Sequence, residues 1–211
     1  MNENKGLLEG IVVLDLTRVL AGPYCGTLIA DMGATVIKVE NPIGGDDSRS
    51  MGPFINGNSV YYANFNRSKL GCTLNLKTSE GKEIFKELVK KADIIIENYR
   101  PGTMEKLGLG YDELKKENPA IIYGAVSGFG HTGPLSKRAG YDIIGQAMGG
   151  LMSTTGWPGG PATRSGTPLG DVLGGLNLAI GILAALVNRE KTGLGEKVEN
   201  NSTTIIILRK N

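Results

Sequence analysis

The chain has 211 residues, of which 40% are hydrophobic and 21% are charged, and its formal net charge at pH 7 is +2. This composition is typical of a globular protein and excludes a disordered chain, and so small a charge gives no electrostatic reason to expect nucleic-acid binding. Glycine is enriched, with 32 residues, which predicts many tight turns.

The cysteines and the apolar segments indicate the cellular compartment and whether the chain is expected to enter a membrane. Cys25 and Cys72 are the only cysteines and His131 is the only histidine, so neither a disulfide framework nor a bound metal is expected. The N-terminus has no apolar core of signal-peptide length, and the longest apolar stretch, near Leu176–Val187, is too short to span a bilayer. We therefore expect a soluble, cytoplasmic protein.

The first half of the chain alternates between strand and helix patterns. Ile11–Leu16 is a continuous apolar run typical of a buried parallel strand, and Thr35–Val39 is a second one. Between them, residues 21–34 have helical spacing and end in a glycine turn. Residues 79–92, which follow Thr78, have the pattern of an amphipathic helix with the apolar residues on one side.

The second half continues the alternation. Asp93–Glu97 and Ala120–Val126 predict two more strands. Helices are predicted at Thr103–Leu107, Tyr111–Glu117, Asp142–Met152 and Val172–Arg189. Strands that alternate with helices favour an α/β fold with a parallel sheet.

Ligands of open parallel sheets bind beyond the carboxyl ends of the strands. Four polar, Gly- and Pro-rich segments follow the predicted strands there: Thr17–Pro23, Glu40–Asp47, Asn98–Gly102 and Ser127–Pro134. They favour a nucleotide-like ligand. The first of them contains neither Gly-x-Gly-x-x-Gly nor a phosphate-binding Gly-x-x-x-x-Gly-Lys-Ser/Thr pattern, which argues against an NAD- or ATP-dependent enzyme.

Five motifs occur in one order along the chain: LDLTRVLAGPYCGTLIADMGATVIKVE, NFNRSKLGCTLNLKTSEGK, ADIIIENYRPGTMEKLG, GYDIIGQAMGGLM and GTPLGDVLGGL. Together they resemble CoA-transferase family III, which includes formyl-CoA:oxalate transferases, carnitine CoA-transferases and α-methylacyl-CoA racemases. The resemblance runs from about Leu8 to Val198. It implies a Rossmann-like open parallel sheet with flanking helices and a transfer of coenzyme A between carboxylic acids.

The resemblance assigns the nucleophile to Asp171, in the Gly-Asp-x-x-x-Gly context of GTPLGDVLGGL. A carboxylate can attack a thioester carbonyl and expel CoA thiolate, giving an acyl-aspartyl anhydride and then an aspartyl-CoA thioester. From spacing alone, Asp171 is equally well explained as a helix N-cap.

Contacts to CoA are expected from loop residues and basic side chains, on the resemblance and on the affinity of Arg and Lys for phosphate. The residues so assigned are Arg18, Val19, Lys38, Asn98, Tyr99, Arg100 and Lys106. Asn66, Arg67 and Lys69 form a further basic loop that could receive phosphates. Acyl-CoA and a small carboxylic acid would be substrates, with no permanently bound cofactor.

The racemase branch of the family is an alternative function. It uses a histidine in an Ala-Gly-His-Asp context, and this chain has Tyr141 at that position. His131 lies ten residues earlier in a loop and is expected to be structural or peripheral. Trp157 lies in a Gly/Pro-rich loop and either walls the acyl pocket or anchors the loop.

The resemblance also predicts the domain organisation. Residues 8–198 would form the N-terminal α/β domain, and residues 199–211 would be an aberrant tail, produced by a frameshift or premature stop. Complete family members are about twice as long and form interlocked homodimers. A second alternative is therefore an inactive truncated remnant that at most binds CoA.

Overall fold

The computed structural model of the chain describes residues 6–201. Apolar runs rich in β-branched residues form four of the eight strands in this range, as expected for segments that are buried on a sheet. The strands are β1 Val12–Asp15, β2 Thr35–Glu40, β3 Phe54–Ile55, β4 Asn58–Ser59, β5 Lys69–Thr73, β6 Ile94–Glu97, β7 Ile122–Ser127 and β8 Lys197–Asn201. β3 and β4 form a small antiparallel hairpin, and the other six form one sheet.

Helices occupy most of the connections between these strands. They are α1 Ala21–Asp31, α2 Val60–Asn66, α3 Ser79–Val89, α4 Thr103–Leu107, α5 Tyr111–Glu117, α6 Asp142–Met148 and α7 Leu169–Thr192. The Thr78 side chain caps α3 by accepting a hydrogen bond from the Gly81 amide at 3.1 Å.

The six-stranded sheet has the order β5-β2-β1-β6-β7-β8, and all of its pairs are parallel. Counted along the chain, this is the 3-2-1-4-5-6 order of the Rossmann fold. The prediction of an α/β fold with a Rossmann-like parallel sheet is therefore confirmed. The strand order reverses between β1 and β6, and the crevice at their carboxyl ends is where such folds bind ligands.

Two apolar layers cover the two faces of the sheet. Ile94 and Ile96 of β6 point into a core shared with α1 and α7, whereas Ile95 points into a core shared with α3, α4 and α5. Because both faces are buried, the strand reads as an uninterrupted apolar run. α7 crosses close to α1 because Gly175 has no side chain: a Cβ there would lie 2.3 Å from the Ala21 carbonyl oxygen.

The predicted elements differ from the structure at several points. Lys69 belongs to strand β5, which pairs with β2, and not to a basic loop; its ammonium is paired with the buried carboxylate of Asp15. α7 extends the predicted Val172–Arg189 helix at both ends, and α6 ends at Met148. The hairpin and α2 were not predicted, since neither has a clear apolar period.

The last described strand, β8, pairs with β7 and crosses the boundary that the sequence placed after Val198. Residues 199–201 thus continue the sheet, and residues 202–211 of the predicted aberrant tail lie outside the described residues. Within the described residues, α7 alone is long and apolar enough to cross a membrane by length and composition. It packs in the core with α1 and the sheet, as a core helix of a globular domain does.

Candidate active site

The turn after β1 and the turn after β6 meet at the reversal of strand order. The Asn98 side chain joins them: its Oδ1 accepts a hydrogen bond from the Arg18 amide at 2.8 Å, and its Nδ2 donates to the Arg18 carbonyl at 2.7 Å. Asn98 was predicted to offer donors to CoA. The structure instead uses its amide group to hold the backbone of Arg18.

A cavity of about 400 Å³ lies beside these turns, at the carboxyl ends of β1, β2, β5 and β6. The predicted residues Arg18 and Tyr99 line it, and the Arg18 guanidinium lies 5.4 Å from the centre of the Tyr99 ring. Lys77 adds a second positive charge. Apolar contributions come from Val39, Ile43, Leu74, Leu76 and Leu107. The carboxylates of Glu40, Asp46 and Asp47 also line it, so polar and apolar surface contribute about equally and charges of both signs are present. A concave site of this size can hold a nucleotide-like ligand.

A smaller cavity of about 190 Å³ lies next to the first and shares Arg18 and Asp47 with it. Its other lining residues are Val19, Leu20, Ala21, Asn98, Tyr141 and Asp171. Two sequence-predicted groups of residues, the loop after β1 and the Gly-Asp motif, are thus brought to one place although they are far apart in the chain.

Asp171 lies in the first turn of α7, which begins at Leu169. It is not the N-cap. The carboxylate that caps this helix is that of Asp142, whose Oδ1 accepts hydrogen bonds from the amides of Gly170 at 2.7 Å and Asp171 at 3.4 Å. The Gln146 side chain donates to the other Asp142 oxygen at 2.7 Å. The carboxylate of Asp171 lines the smaller cavity.

Burial, followed by repulsion from Asp142, raises the pKa of Asp171 to about 6. The negative charge of Asp171 acts in turn on Tyr61: burial first, and Asp171 next, raise the pKa of the Tyr61 phenol. Perturbed carboxylates in a cavity are frequent at catalytic sites. The sequence analysis missed Tyr61 and Asp142, because neither stands in a polar loop after a strand.

Val19 lines the smaller cavity with an unusual backbone. Its φ is +67°, a left-handed conformation that is costly for a β-branched residue. Lys38 does not reach either cavity. Its side chain is 1% exposed, and its ammonium is held by Asp46 at 2.7 Å and by the Thr17 carbonyl at 2.5 Å. The prediction that Lys38 contacts CoA directly is therefore not supported.

The remaining predicted residues lie outside the cavities. Arg100 and Lys106 are exposed, near Thr103 and Leu107 of the larger cavity but not among its lining residues. Arg67 pairs with Asp31 at 2.5 Å, and Lys69 pairs with Asp15 at 2.8 Å, so these charges are used within the fold.

His131 and Trp157 line neither of the two cavities described. The His131 side chain is buried, with its Nε2 3.9 Å from Glu97 and its Nδ1 3.7 Å from Glu199. Burial and the nearby Lys197 lower the pKa of His131. Trp157 is 88% exposed.

Sequence comparison identifies relatives along almost the whole chain. The chain is 48% identical to acetyl-CoA:oxalate CoA-transferase of Acetobacter aceti, covering 92% of this chain and 50% of that protein. It is 47% identical to succinyl-CoA:glutarate CoA-transferase of Mus musculus, covering 92% of this chain and 45% of the other. Succinyl-CoA:mesaconate CoA-transferase of Haloarcula marismortui is 46% identical over 92% of this chain and 51% of its own length. The chain thus spans about half the length of the curated relatives it matches.

The same relationship is present in three dimensions. The crystal structure of a CAIB/BAIF family protein from Brucella suis superposes with a TM-score of 0.92 at 41% identity, over 97% of this chain and 55% of that one. The sequence model of CoA-transferase family III matches residues 8–207. On these grounds, the chain belongs to CoA-transferase family III.

Proposed function

We propose that this chain carries the CoA cleft and the nucleophile of an enzyme that transfers CoA between carboxylic acids, with Asp171 as the nucleophile. The observation that carries the proposal is the position of this carboxylate. It lines a small cavity that adjoins the larger, nucleotide-sized cavity, and a second carboxylate, Asp142, performs the helix capping in its place.

The reaction proceeds through three covalent intermediates on Asp171, two anhydrides and the thioester between them. The carboxylate attacks the thioester carbonyl, the C–S bond breaks, and CoA leaves as thiolate, which gives an acyl-aspartyl anhydride. The thiolate attacks Cγ of Asp171, releasing the first acid and forming an aspartyl-CoA thioester. The second acid attacks this thioester, and the returning thiolate then converts the new anhydride into the new acyl-CoA and free Asp171.

The surroundings of Asp171 suit this chemistry. Since its pKa is about 6, Asp171 is mainly ionised at pH 7. Burial and the nearby charge of Asp142 nevertheless destabilise this ionised form. The amino end of α1, at Leu20 and Ala21, lines the same cavity. The partial positive charge of a helix amino end would stabilise negative charge that develops on the thioester oxygen.

The larger cavity would hold the nucleotide part of CoA, with Arg18 and Lys77 facing phosphates and Tyr99 and the apolar wall facing the ring. Val19 would contact the ligand where the two cavities adjoin. Arg100 and Lys106 remain proposed contacts to phosphate at the solvent-exposed rim.

For the acids, the relatives favour small dicarboxylates. The relatives' names specify oxalate, glutarate and mesaconate. We propose that the acceptor here is an acid of this class, since a cavity of about 190 Å³ leaves room for a short acyl chain only.

Two alternatives are less well supported. Racemisation needs an acid and a base that exchange an α-proton, and the side chain at the relevant position is the phenol of Tyr141, which is 72% exposed. A remnant that binds CoA without turnover differs from the main proposal only in lacking covalent chemistry, so a test for the covalent intermediate separates them.

The organisation of the complete enzyme stays a prediction. We propose that the α/β domain, which begins at residue 8 and includes β8 as far as Asn201, functions within an interlocked homodimer, in the cytoplasm. Cys25 and Cys72 are free thiols, which suits a reducing compartment. Sedimentation analysis of the chain with and without CoA would test dimer formation.

The proposal is tested by intact-protein mass spectrometry after incubation with acetyl-CoA and succinyl-CoA. We expect an adduct in the wild-type chain and none in Asp171→Asn, which keeps the size of the side chain and removes the nucleophile. A full-length relative serves as the positive control. CoA binding by a folded wild-type chain that forms no adduct would favour the remnant, and an adduct that persists in Asp171→Asn would exclude Asp171 as the nucleophile.

A further inference from the structure

In the turn between β1 and α1, side chains from elsewhere in the chain form hydrogen bonds to two consecutive peptide groups, Thr17–Arg18 and Arg18–Val19. The Thr17 carbonyl accepts a hydrogen bond from Lys38, and the Arg18 amide and carbonyl are both bonded to Asn98. The Val19 amide donates to Oδ1 of Asp46 at 3.1 Å. A short turn with this many external restraints is fixed in one conformation.

The hydrogen bond from the Val19 amide to Asp46 holds Val19 in a strained backbone conformation. A β-branched residue at φ +67° persists only where its surroundings hold it there. The Asp46 carboxylate also accepts hydrogen bonds from the Ser48 amide and hydroxyl, at 2.9 Å and 2.8 Å, so its own position is fixed.

Lys38 and Asp46 form a buried ion pair beneath this turn, with side chains 1% and 0% exposed. Burial acts to raise the pKa of Asp46, but the attraction of Lys38 and the hydrogen bonds outweigh it, so the pKa lies below its usual value. Buried ion pairs add little net stability compared with apolar residues of the same size. We therefore attribute to this pair a role in fixing the geometry of the turn and not a role in stability.

The held turn forms one wall of the cavity that contains Asp171. Val19, Leu20 and Ala21 line it together with Asp171. We propose that Lys38 and Asp46 are positioning residues that hold Val19 in its left-handed conformation and thereby fix the part of the wall that this turn contributes to the cavity of Asp171. The catalytic part of this inference rests on the proposed function.

The test is a double-mutant cycle between Asp46→Ala and Val19→Gly, read as the rate of adduct formation at saturating acyl-CoA. Because misplacement of a catalytic wall is costly, we expect Asp46→Ala to slow the reaction by about tenfold or more. Glycine adopts positive φ without strain, so Val19→Gly should slow the wild-type chain but partly restore the rate of Asp46→Ala. If the two changes have independent, additive effects, the proposal is wrong.

Asp93→Ala is the matched control. Asp93 also accepts a backbone hydrogen bond, from the Val12 amide at 2.9 Å, and pairs with a cation, Arg189 at 3.0 Å, but it lies at the amino ends of the strands, away from the cavities. It should lower stability and leave the adduct rate within about twofold, because it touches neither cavity. Should Asp46→Ala not fold, Asp46→Asn takes its place in the cycle.

Hydrogen exchange measured residue by residue separates this inference from the proposed function. In Asp46→Ala, the Val19 amide should lose at least about tenfold more protection than the amides within β1 and β2, which report any general loss of stability. This result is expected whether or not the wild-type chain forms an adduct. An unchanged Val19 amide would overturn the positioning role, whereas absence of the wild-type adduct would count against the proposed chemistry alone.

Discussion

The layer of α3, α4 and α5 and the carboxyl edge of the sheet use charge in opposite ways. In the helical layer, the apolar side chains are buried and the ion pairs are on the surface, such as Lys116 with Glu113 at 2.7 Å. At the carboxyl edge, Asp15–Lys69 and Lys38–Asp46 are pairs with side chains at most 1% exposed. Surface pairs contribute little, whereas a buried charge depends on its partner. We infer that the layer supplies stability and that the edge supplies geometry for a site.

The largest effect should come from breaking the buried pair of Lys69 and Asp15. Lys69→Met leaves the Asp15 carboxylate buried without its cation, and we expect the free energy of unfolding to fall by about 3–5 kcal/mol. Urea unfolding measures this. Adding Asp15→Asn removes the unpaired charge and should recover part of the loss. A fall of less than about 1 kcal/mol in the single variant would mean that the edge tolerates unpaired charge.

Removing the charge of Asp171 should raise the free energy of unfolding, whereas breaking the pair of Lys69 and Asp15 lowers it. Its folded pKa of about 6 is above its ordinary value of 3.8, so ionisation of this group opposes folding at neutral pH. Asp171→Asn is expected to stabilise the chain by about 1–2 kcal/mol at pH 7.5, after allowance for solvent screening.

The pH dependence of the unfolding free energy tests whether the stabilisation by Asp171→Asn comes from removal of the charge. The difference in unfolding free energy between Asp171→Asn and the wild type should be full above pH 6 and shrink as the pH falls towards 4, where both folded and unfolded states become protonated. A difference that is the same at pH 7.5 and pH 4.5 would assign the gain to packing, not to charge.

The same contrast explains what the sequence could predict. Continuous apolar runs located four of the eight described strands, β1, β2, β6 and β7, because burial on both faces leaves such a run, and apolar period located most helices. At the site, the motif located Asp171, and the rule for strand ends located Arg18 and Tyr99. The ion pair of Lys38 and Asp46 was not predictable, because a lysine in a strand reads as a surface charge until its partner's position is known.

The role of Asp142 was hidden for a related reason: it caps a helix that begins 27 residues later in the chain. Asp142→Ala should lower the unfolding free energy by about 1 kcal/mol through loss of the cap. It should also move the pH midpoint of adduct formation below 6, because repulsion on Asp171 is removed. Asp142→Asn separates the two effects, since its amide oxygen can still cap α7 while the charge is absent. If Asp142→Asn leaves the midpoint unchanged, burial alone accounts for the raised pKa.

The smallest effect should be found in the helical layer. Lys116 and Glu113 of α5 have side chains that are 64% and 50% exposed, so water solvates both charges before and after the pair forms. We therefore expect Lys116→Ala to leave the urea midpoint within experimental error, and Leu114→Ala, in the buried face of the same helix, to lower it clearly. A loss in Lys116→Ala that approaches that of Lys69→Met would show that exposed pairs of this layer carry stability as well, and the division between the two regions would no longer hold.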